Sequence, residues 1–357
     1  MNPYEFAQRQ SLPYEAKIIH ATRIAREFED WSIEHIKNLC ISVGGLDSIT
    51  LYYFLKSLGI DATPVSVSSI EDKSNQKIHH QIPGMVFIKP YKSKVEVIRE
   101  FGFPVISKEK AGKIQMLQRP SEKNSTVRHA IMTGECGKLG GFKTRATGSR
   151  MRLPQKWLNI FGGPENEKYD TDYQTAPFRV SPDCCYHMKE KPVHDWQKAN
   201  NMVPYLGLMA SEGGQRRSSL TKNGCNYFGK TVTRSCPFAI FSRQDLLQLA
   251  LDLNAPVPTI YGEIVRDSNG ELRTTRAQRT GCSMCGFGIH IEKRPHRFDR
   301  LREDNIKEWR FWMYDCCIDE DGSHYGWGKV LDYIGIGWED VVSDHRQMEL
   351  NTEGKIS

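Results

Sequence analysis

The stretch Leu39-Cys-Ile-Ser-Val-Gly-Gly-Leu-Asp-Ser48, running on into Ile49-Thr-Leu-Tyr-Tyr-Phe-Leu-Lys56, constrains this chain more than any other. An apolar, β-branched run passes through two glycines and an Asp-Ser pair into an apolar stretch at helical spacing. That order reads as strand, tight turn, helix N-terminus. Such a junction gathers unpaired backbone N–H groups and the positive end of a helix dipole at one point, an arrangement suited to a phosphate. Gly44 and Gly45 let the backbone approach an anion without an intervening Cβ, and Asp47 and Ser48 fall at the helix start as cap or ligand groups. An ordinary strand–turn–helix connection with a capping Asp/Ser is the alternative reading of these residues alone.

The residues around this stretch extend it into a βαβ unit. Residues 14–38 carry Ile18, Ile19, Ala21, Ile24, Ala25, Phe28 and Trp31 at spacings of three and four, which predicts a packing helix ahead of the first strand. The helix from Ser48 is expected to end near Gly59, and a second strand follows at 63–69. Strand, helix and strand at this separation imply a parallel sheet, with ligands at the carboxyl ends of its strands. Glu71, Asp72 and Lys73 then stand where a ribose- or base-reading residue would fall. A third strand at Val86–Lys89, a helix near 93–101, a short strand at 104–107 and a strand-like run Tyr205–Ala210 complete the expected core. Arg243–Asp252 reads as a capped helix, and 318–328 as a loop before a short helix.

With 357 residues the chain can form one large domain or two ordinary ones. No apolar run approaches the roughly 18 residues of a membrane span, and the first residues lack the apolar core of a signal peptide. A cytoplasmic protein with no membrane partner is therefore expected. The net charge of +6 permits a polyanionic partner without requiring one. Between Gly137 and Gly163 the chain carries Lys138, Lys143, Arg145, Arg150, Arg152 and Lys156 and no acidic residue. This basic segment, 138–156, reads as a loop over a polyphosphate or a nucleic-acid acceptor, with a solvated connector as the plainer reading. The tail from Ser343 to Ser357 is polar and expected to fray.

Ten cysteines stand in this sequence. In a reducing compartment their clustering points to metal or redox chemistry rather than disulfides. Cys184-Cys185 and Cys282-x-x-Cys285 can supply four thiolates. Adjacent cysteines do not point the same way on a helix, so chelating one zinc with both is awkward, whereas a cubane offers separate irons. A [4Fe–4S] cluster is the favoured reading; structural zinc and metal-free thiols are the alternatives. Lys189 and Lys191 would favour thiolates electrostatically. Cys316-Cys317 follows a bulky aromatic run and reads as core thiols, with a persulfide-carrying or resolving role as the alternative. His187, His290 and His296 form no metal pair; packing is expected for them, with His290 and His296 lining the pocket of the Cys-x-x-Cys, or His187 lying near a cluster, as the alternatives.

Gly44-Gly45-Leu46-Asp47-Ser48 resembles the PP-loop of ATP pyrophosphatases, whose usual form is Ser-Gly-Gly-x-Asp-Ser. With Cys184-Cys185, Lys189, Pro192 and Cys282/Cys285, the pattern resembles adenylyl-sulfate reductases and the iron–sulfur sulfur-transfer proteins of DNA phosphorothioation. The chain is thus similar, over roughly residues 15–335, to the phosphoadenosine phosphosulfate reductase family. The resemblance implies an α/β fold with a parallel-sheet, adenine nucleotide alpha-hydrolase-like (Rossmann-like) core, an N-terminal helix and a C-terminal cysteine-rich helical and loop region. It implies nucleotide binding at Gly44, Gly45, Asp47 and Ser48, a [4Fe–4S] cluster on Cys184, Cys185, Cys282 and Cys285, and an anion-facing Arg216 that with Asp47 and Ser48 makes up the expected catalytic residues. Two departures stand out. Val43 replaces the first serine of the loop, and the C-terminal tail lacks the nucleophilic cysteine of the sulfonucleotide reductases; Glu135-Cys136-Gly137 repeats part of that motif at an unrelated position.

The domains expected on this basis are an N-terminal helical segment (1–38), a PP-loop α/β domain (39–260) with a basic insertion near 108–165, a cysteine-containing region (261–342) and a polar tail (343–357). The expected activity is that of an ATP pyrophosphatase and sulfurtransferase. ATP or a related adenine nucleotide would bind with Mg²⁺, an acceptor would be adenylated, and a sulfur-donor protein such as a cysteine desulfurase would supply sulfur. The alternatives are a sulfonucleotide (APS or PAPS) reductase-like enzyme using an external thiol, and a non-catalytic nucleotide- and cluster-binding accessory subunit of a phage, defence or mobile-element system.

Overall fold

The computed structural model describes residues 3–68, 70–136, 151–162 and 176–339. Two compact units are each assembled from two stretches of chain, 1–91 with 188–283 and 92–187 with 284–357.

The first unit is an α/β layer structure. Helices α1 (Pro3–Gln10) and α2 (Tyr14–Glu34) precede strand β1 (Asn38–Ser42). Ala21, Ile24, Ala25 and Phe28 of α2 are buried, as their spacing predicts. Ile19 lies one position off that stripe and is exposed. The helix stops at Glu34, short of residue 38, where Ile36 takes a positive φ of 51° and the chain turns toward the sheet. Strand β1 leads through the glycine turn into α3 (Leu46–Ser57), then β2 (Thr63–Val67), α4 (Lys73–His79) and β3 (Val86–Ile88).

The six-stranded sheet runs in the order β3, β2, β1, Met202–Tyr205, Thr233–Ser235, Asn226–Phe228, parallel except at its last pair. This is the expected α/β, mostly parallel architecture. Being central, β1 is covered on both faces, so the successive residues Cys40 and Ile41 are both fully buried. The strand expected over 205–210 instead spans Met202–Tyr205, and a short 3₁₀ turn occupies Ala210–Glu212. Val43 is buried in the same apolar cluster as Ile41, Ile49, Phe54, Tyr205 and Phe238. Its N–H continues the ladder to the Val65 carbonyl at 2.8 Å. The residue in place of the loop serine is therefore a core residue. From β1 the chain crosses to β2 on one side, while Met202–Tyr205 lies on the other. The carboxyl end of β1 is thus a topological switch point, the place where open parallel sheets bind ligands.

The second unit has its own core around Phe103, Phe161, Phe178, Phe298 and Trp327. The Ser93/Glu96 capping box starts the helix Lys94–Phe101, and the expected strand at 104–107 is the two-residue Val105–Ile106, parallel to Gly286–Phe287. His187 stacks on Phe101, and His296 is a buried helix cap bonded to the Gly337 carbonyl, so both pack as expected. The tail 343–357 and most of the basic segment, including Lys138, Lys143, Arg145 and Arg150, lie outside the described residues. No helix among the described residues is long and apolar enough to cross a membrane.

Candidate functional site

The turn between β1 and α3 is closed by its own side chains. Gly45 is the N-cap of α3 in extended conformation, with no side-chain cap of its own. The Gly44 N–H donates to Ser48 Oγ at 2.7 Å, and that hydroxyl donates to the Gly45 carbonyl at 3.0 Å. The Leu46 N–H donates to the Tyr261 hydroxyl at 3.1 Å, which lies 2.8 Å from Thr280 Oγ1. Burial, and after it the Asp47 charge, pushes the Tyr261 phenol up to about 12, so it stays protonated at neutral pH. The amides of Gly45 and Asp47 have no acceptor among the described residues. Sequence reading places Ser48 as a cap or ligand; in the structure its hydroxyl is occupied in shaping the turn.

A second brace comes from α4. His79 is fully buried, its Nε2 donates to the Gly44 carbonyl at 2.7 Å, and its Nδ1 accepts from the Ser66 hydroxyl at 3.0 Å. Burial lowers its pKa, against the opposing pull of the Gly44 carbonyl, which fixes a neutral ring of a single tautomer. Asp72 caps α4 by accepting from the Ser74 N–H at 2.8 Å, so it is a structural cap. Glu71 is buried beside Gly44 and ion-paired to Lys189. Lys191 pairs with Asp195 at 2.6 Å.

Charge gathers at the start of α3. Asp47 is ion-paired to Arg243 Nη1 at 2.7 Å. Dehydration raises the Asp47 pKa, Glu212 adds to this, and Arg243, Arg216 and Arg279 oppose it without cancelling it. Arg216, the cation expected at the site, is exposed and paired with Glu212, whose side chain is only 5% exposed; Arg279 lies 3.8 Å from the same carboxylate oxygen. Asp47, Ser211, Glu212, Arg243, Gln278 and Arg279 line a pocket of about 110 Å³. Three atoms in this group are buried without a hydrogen-bond partner: Arg243 Nε and Nη2, and Glu212 Oε2. Sequence reading found Gly44, Gly45, Asp47, Ser48 and Arg216 but not His79, Tyr261, Glu212, Arg243 or Arg279. Of these only Arg243 carried a local signal, as the first residue of a capped helix.

The chain has no match among protein-family models or curated proteins. It is similar to solved structures at low identity. One is a phosphoadenylyl-sulfate (PAPS) reductase from Candida auris in a phosphate complex, 11% identical over 73% of this chain and 98% of that chain, with a TM-score of 0.35. Another is an NAD+ synthetase from Burkholderia pseudomallei, 14% identical over 84% of this chain and 90% of that chain, with a TM-score of 0.31.

The donor groups for the expected cofactors differ in how well they suit them. None of the ten cysteines is in a disulfide, so Cys184, Cys185, Cys282 and Cys285 retain the thiol chemistry a cluster takes. Cys184 and Cys282 are buried, and Cys185 and Cys285 are half-buried. Within the second unit, Arg297 donates to the Cys285 carbonyl at 2.9 Å. No group of three or more His, Cys, Asp or Glu among the described residues is arranged to hold a single metal ion. Mg²⁺ suits the turn poorly for a separate reason. It is ordinarily held through one or two carboxylates together with phosphate oxygens. The three carboxylates around this turn, Asp47, Glu71 and Glu212, already face Arg243, Lys189 and Arg216.

Proposed function

We propose that this chain is a PP-loop enzyme of the sulfur-transfer type that binds ATP or a related adenine nucleotide at the Val43–Ser48 turn. The observation that carries this reading is the turn itself: two glycines at a switch point, braced by Ser48, His79 and Tyr261, with the Gly45 and Asp47 amides left for an anion. Arg216, Arg243 and Arg279 stand beside it as cations. In the proposed reaction an acceptor oxygen attacks the α-phosphorus, the bond to the bridging oxygen breaks, and pyrophosphate leaves. The turn's part is to hold the phosphates in place, and the arginines offset the charge that grows on the leaving group. The loss of the loop serine to Val43 removes a hydroxyl but leaves these backbone donors in place.

Cys184, Cys185, Cys282 and Cys285 are the residues that would hold a [4Fe–4S] cluster, which would supply sulfur relay or local electrostatics. A sulfur-donor protein and a nucleic-acid acceptor reaching the basic segment complete the reading. The test is ATP–pyrophosphate exchange on the full chain with candidate acceptors. Acceptor-dependent exchange supports adenylation. Sulfite release from a sulfonucleotide with an external thiol would replace this reading with a reductase. Tight nucleotide binding with neither turnover would replace it with an accessory binding subunit.

A further inference from the structure

Each carboxylate around the glycine turn is engaged by a cation of the protein. Glu71, buried beside Gly44, is paired to Lys189, Glu212 to Arg216, and Asp47 to Arg243 at 2.7 Å. A divalent cation entering here would compete with a guanidinium or an ammonium at each carboxylate, although Glu212 Oε2 is itself buried and meets no partner among the described residues. Arg243 also has spare capacity. It gives only Nη1 to Asp47, while Nε and Nη2 are buried and meet no acceptor among the described residues. A guanidinium presents its N–H groups in a planar fork that matches phosphate or sulfate oxygens two at a time. Two buried donors left unsatisfied are costly, so an anionic oxygen supplied by a ligand is their natural complement. Arg279 lines the same pocket, and Arg216 pairs with its Glu212.

We propose that Arg243 takes the place of the divalent cation at this turn, so that the nucleotide is bound by guanidinium groups and backbone amides without Mg²⁺. The proposal rests on the nucleotide-binding reading above and narrows its ligand class: a nucleotide whose phosphoryl or sulfuryl oxygens are met by arginine rather than delivered as a metal chelate. Asp47 then serves as the positioning group that holds Arg243 across the start of α3, and binding energy comes from charge-assisted hydrogen bonds. Arg243 is a binding residue and Asp47 acts through it.

The test is ATP binding by calorimetry on the full chain, in excess EDTA and in millimolar Mg²⁺. The two dissociation constants are expected to agree within about 3-fold. Arg243→Gln is expected to weaken binding about 10- to 100-fold in EDTA. In that variant Asp47 loses its partner, so Mg²⁺ is expected to restore part of the affinity, a gain of metal dependence that a merely structural Arg243 would not produce. Wild-type binding that falls 10-fold or more in EDTA would overturn the proposal while leaving the nucleotide reading intact. No binding in either buffer would overturn both.

Discussion

Gly45→Ala isolates the packing that shapes the turn. The backbone there is extended, φ −93° and ψ −168°, so alanine brings no conformational strain and the effect is purely steric. A Cβ at this position would lie 2.5 Å from the Tyr261 hydroxyl oxygen, where ordinary contact begins at 3.4 Å. The hydroxyl must therefore retreat by about 0.9 Å, which ends its 3.1 Å bond from the Leu46 N–H. Losing that bond at a buried amide costs about 1–3 kcal/mol, and overpacking adds about 1–3 kcal/mol. We expect a destabilisation of about 2–6 kcal/mol by urea unfolding followed by circular dichroism. Tyr261→Phe removes the same hydrogen bond without the clash and is expected to cost about 1–3 kcal/mol. In the double variant the space left by the hydroxyl accepts the methyl group with a shift of about 0.2 Å by Thr280 Oγ1, which lies 3.2 Å away, while the ring atom Tyr261 Cζ lies 3.7 Å away. The pair should then cost little more than Tyr261→Phe alone, a coupling of about 1.5 kcal/mol or more. Costs that add within about 0.5 kcal/mol would refute the reasoning, because the two substitutions would then act on unrelated parts of the site.

His79→Ala removes the tie between the Gly44 carbonyl and Ser66 and is expected to raise the dissociation constant for ATP by about 10-fold or more, measured by calorimetry on protein that circular dichroism shows folded. Lys17→Met leaves the buried Asp245 carboxylate without its 2.7 Å ion-pair partner and should cost about 3 kcal/mol in the same urea titration. His20 is buried with Nε2 3.7 Å from Cys225 Sγ, and burial, with Arg9 and Arg23, lowers its pKa from 6.5 to about 4. The folded state therefore resists its protonation, so stability is undiminished by this group above pH 6.5 and declines as pH falls from 6.5 through 4; His20→Gln should flatten that part of the pH profile. Anaerobically purified protein should carry iron and sulfide with a visible charge-transfer band that Cys282→Ser diminishes, and a colourless protein holding one zinc would refute the cluster reading.

Much of the fold was legible because β1 and the residues around it follow local rules. Cys40 and Ile41 form a continuous apolar strand segment, Gly44-Gly45 mark the turn, and the apolar residues of α2 recur at helical spacing. The two strands Thr63–Val67 and Val86–Ile88 were likewise readable from their β-branched residues. Other features were set by tertiary contacts that leave no local mark. Tyr205–Ala210 is apolar throughout, yet only Tyr205 belongs to the strand; Met209 and Ala210 are buried by the core rather than by sheet pairing. At the site, Asp47 was visible in the motif, but its partner Arg243 is 196 positions away and reaches it only through the fold. Tyr261 and Thr280 brace the turn from a loop and carry no signature of that role. His79 draws no reading from the sequence, and its bond to Gly44 depends on how α4 returns over the sheet.

Amide hydrogen exchange by NMR at Gly44 to Ser48, with and without ATP, tests the nucleotide site most directly. The Gly45 and Asp47 amides, which have no acceptor among the described residues, should slow about 10-fold or more in ATP. Gly44 and Leu46, already bonded to Ser48 and Tyr261, should change far less. ATP binding that leaves Gly45 and Asp47 unprotected would contradict a nucleotide site at this turn.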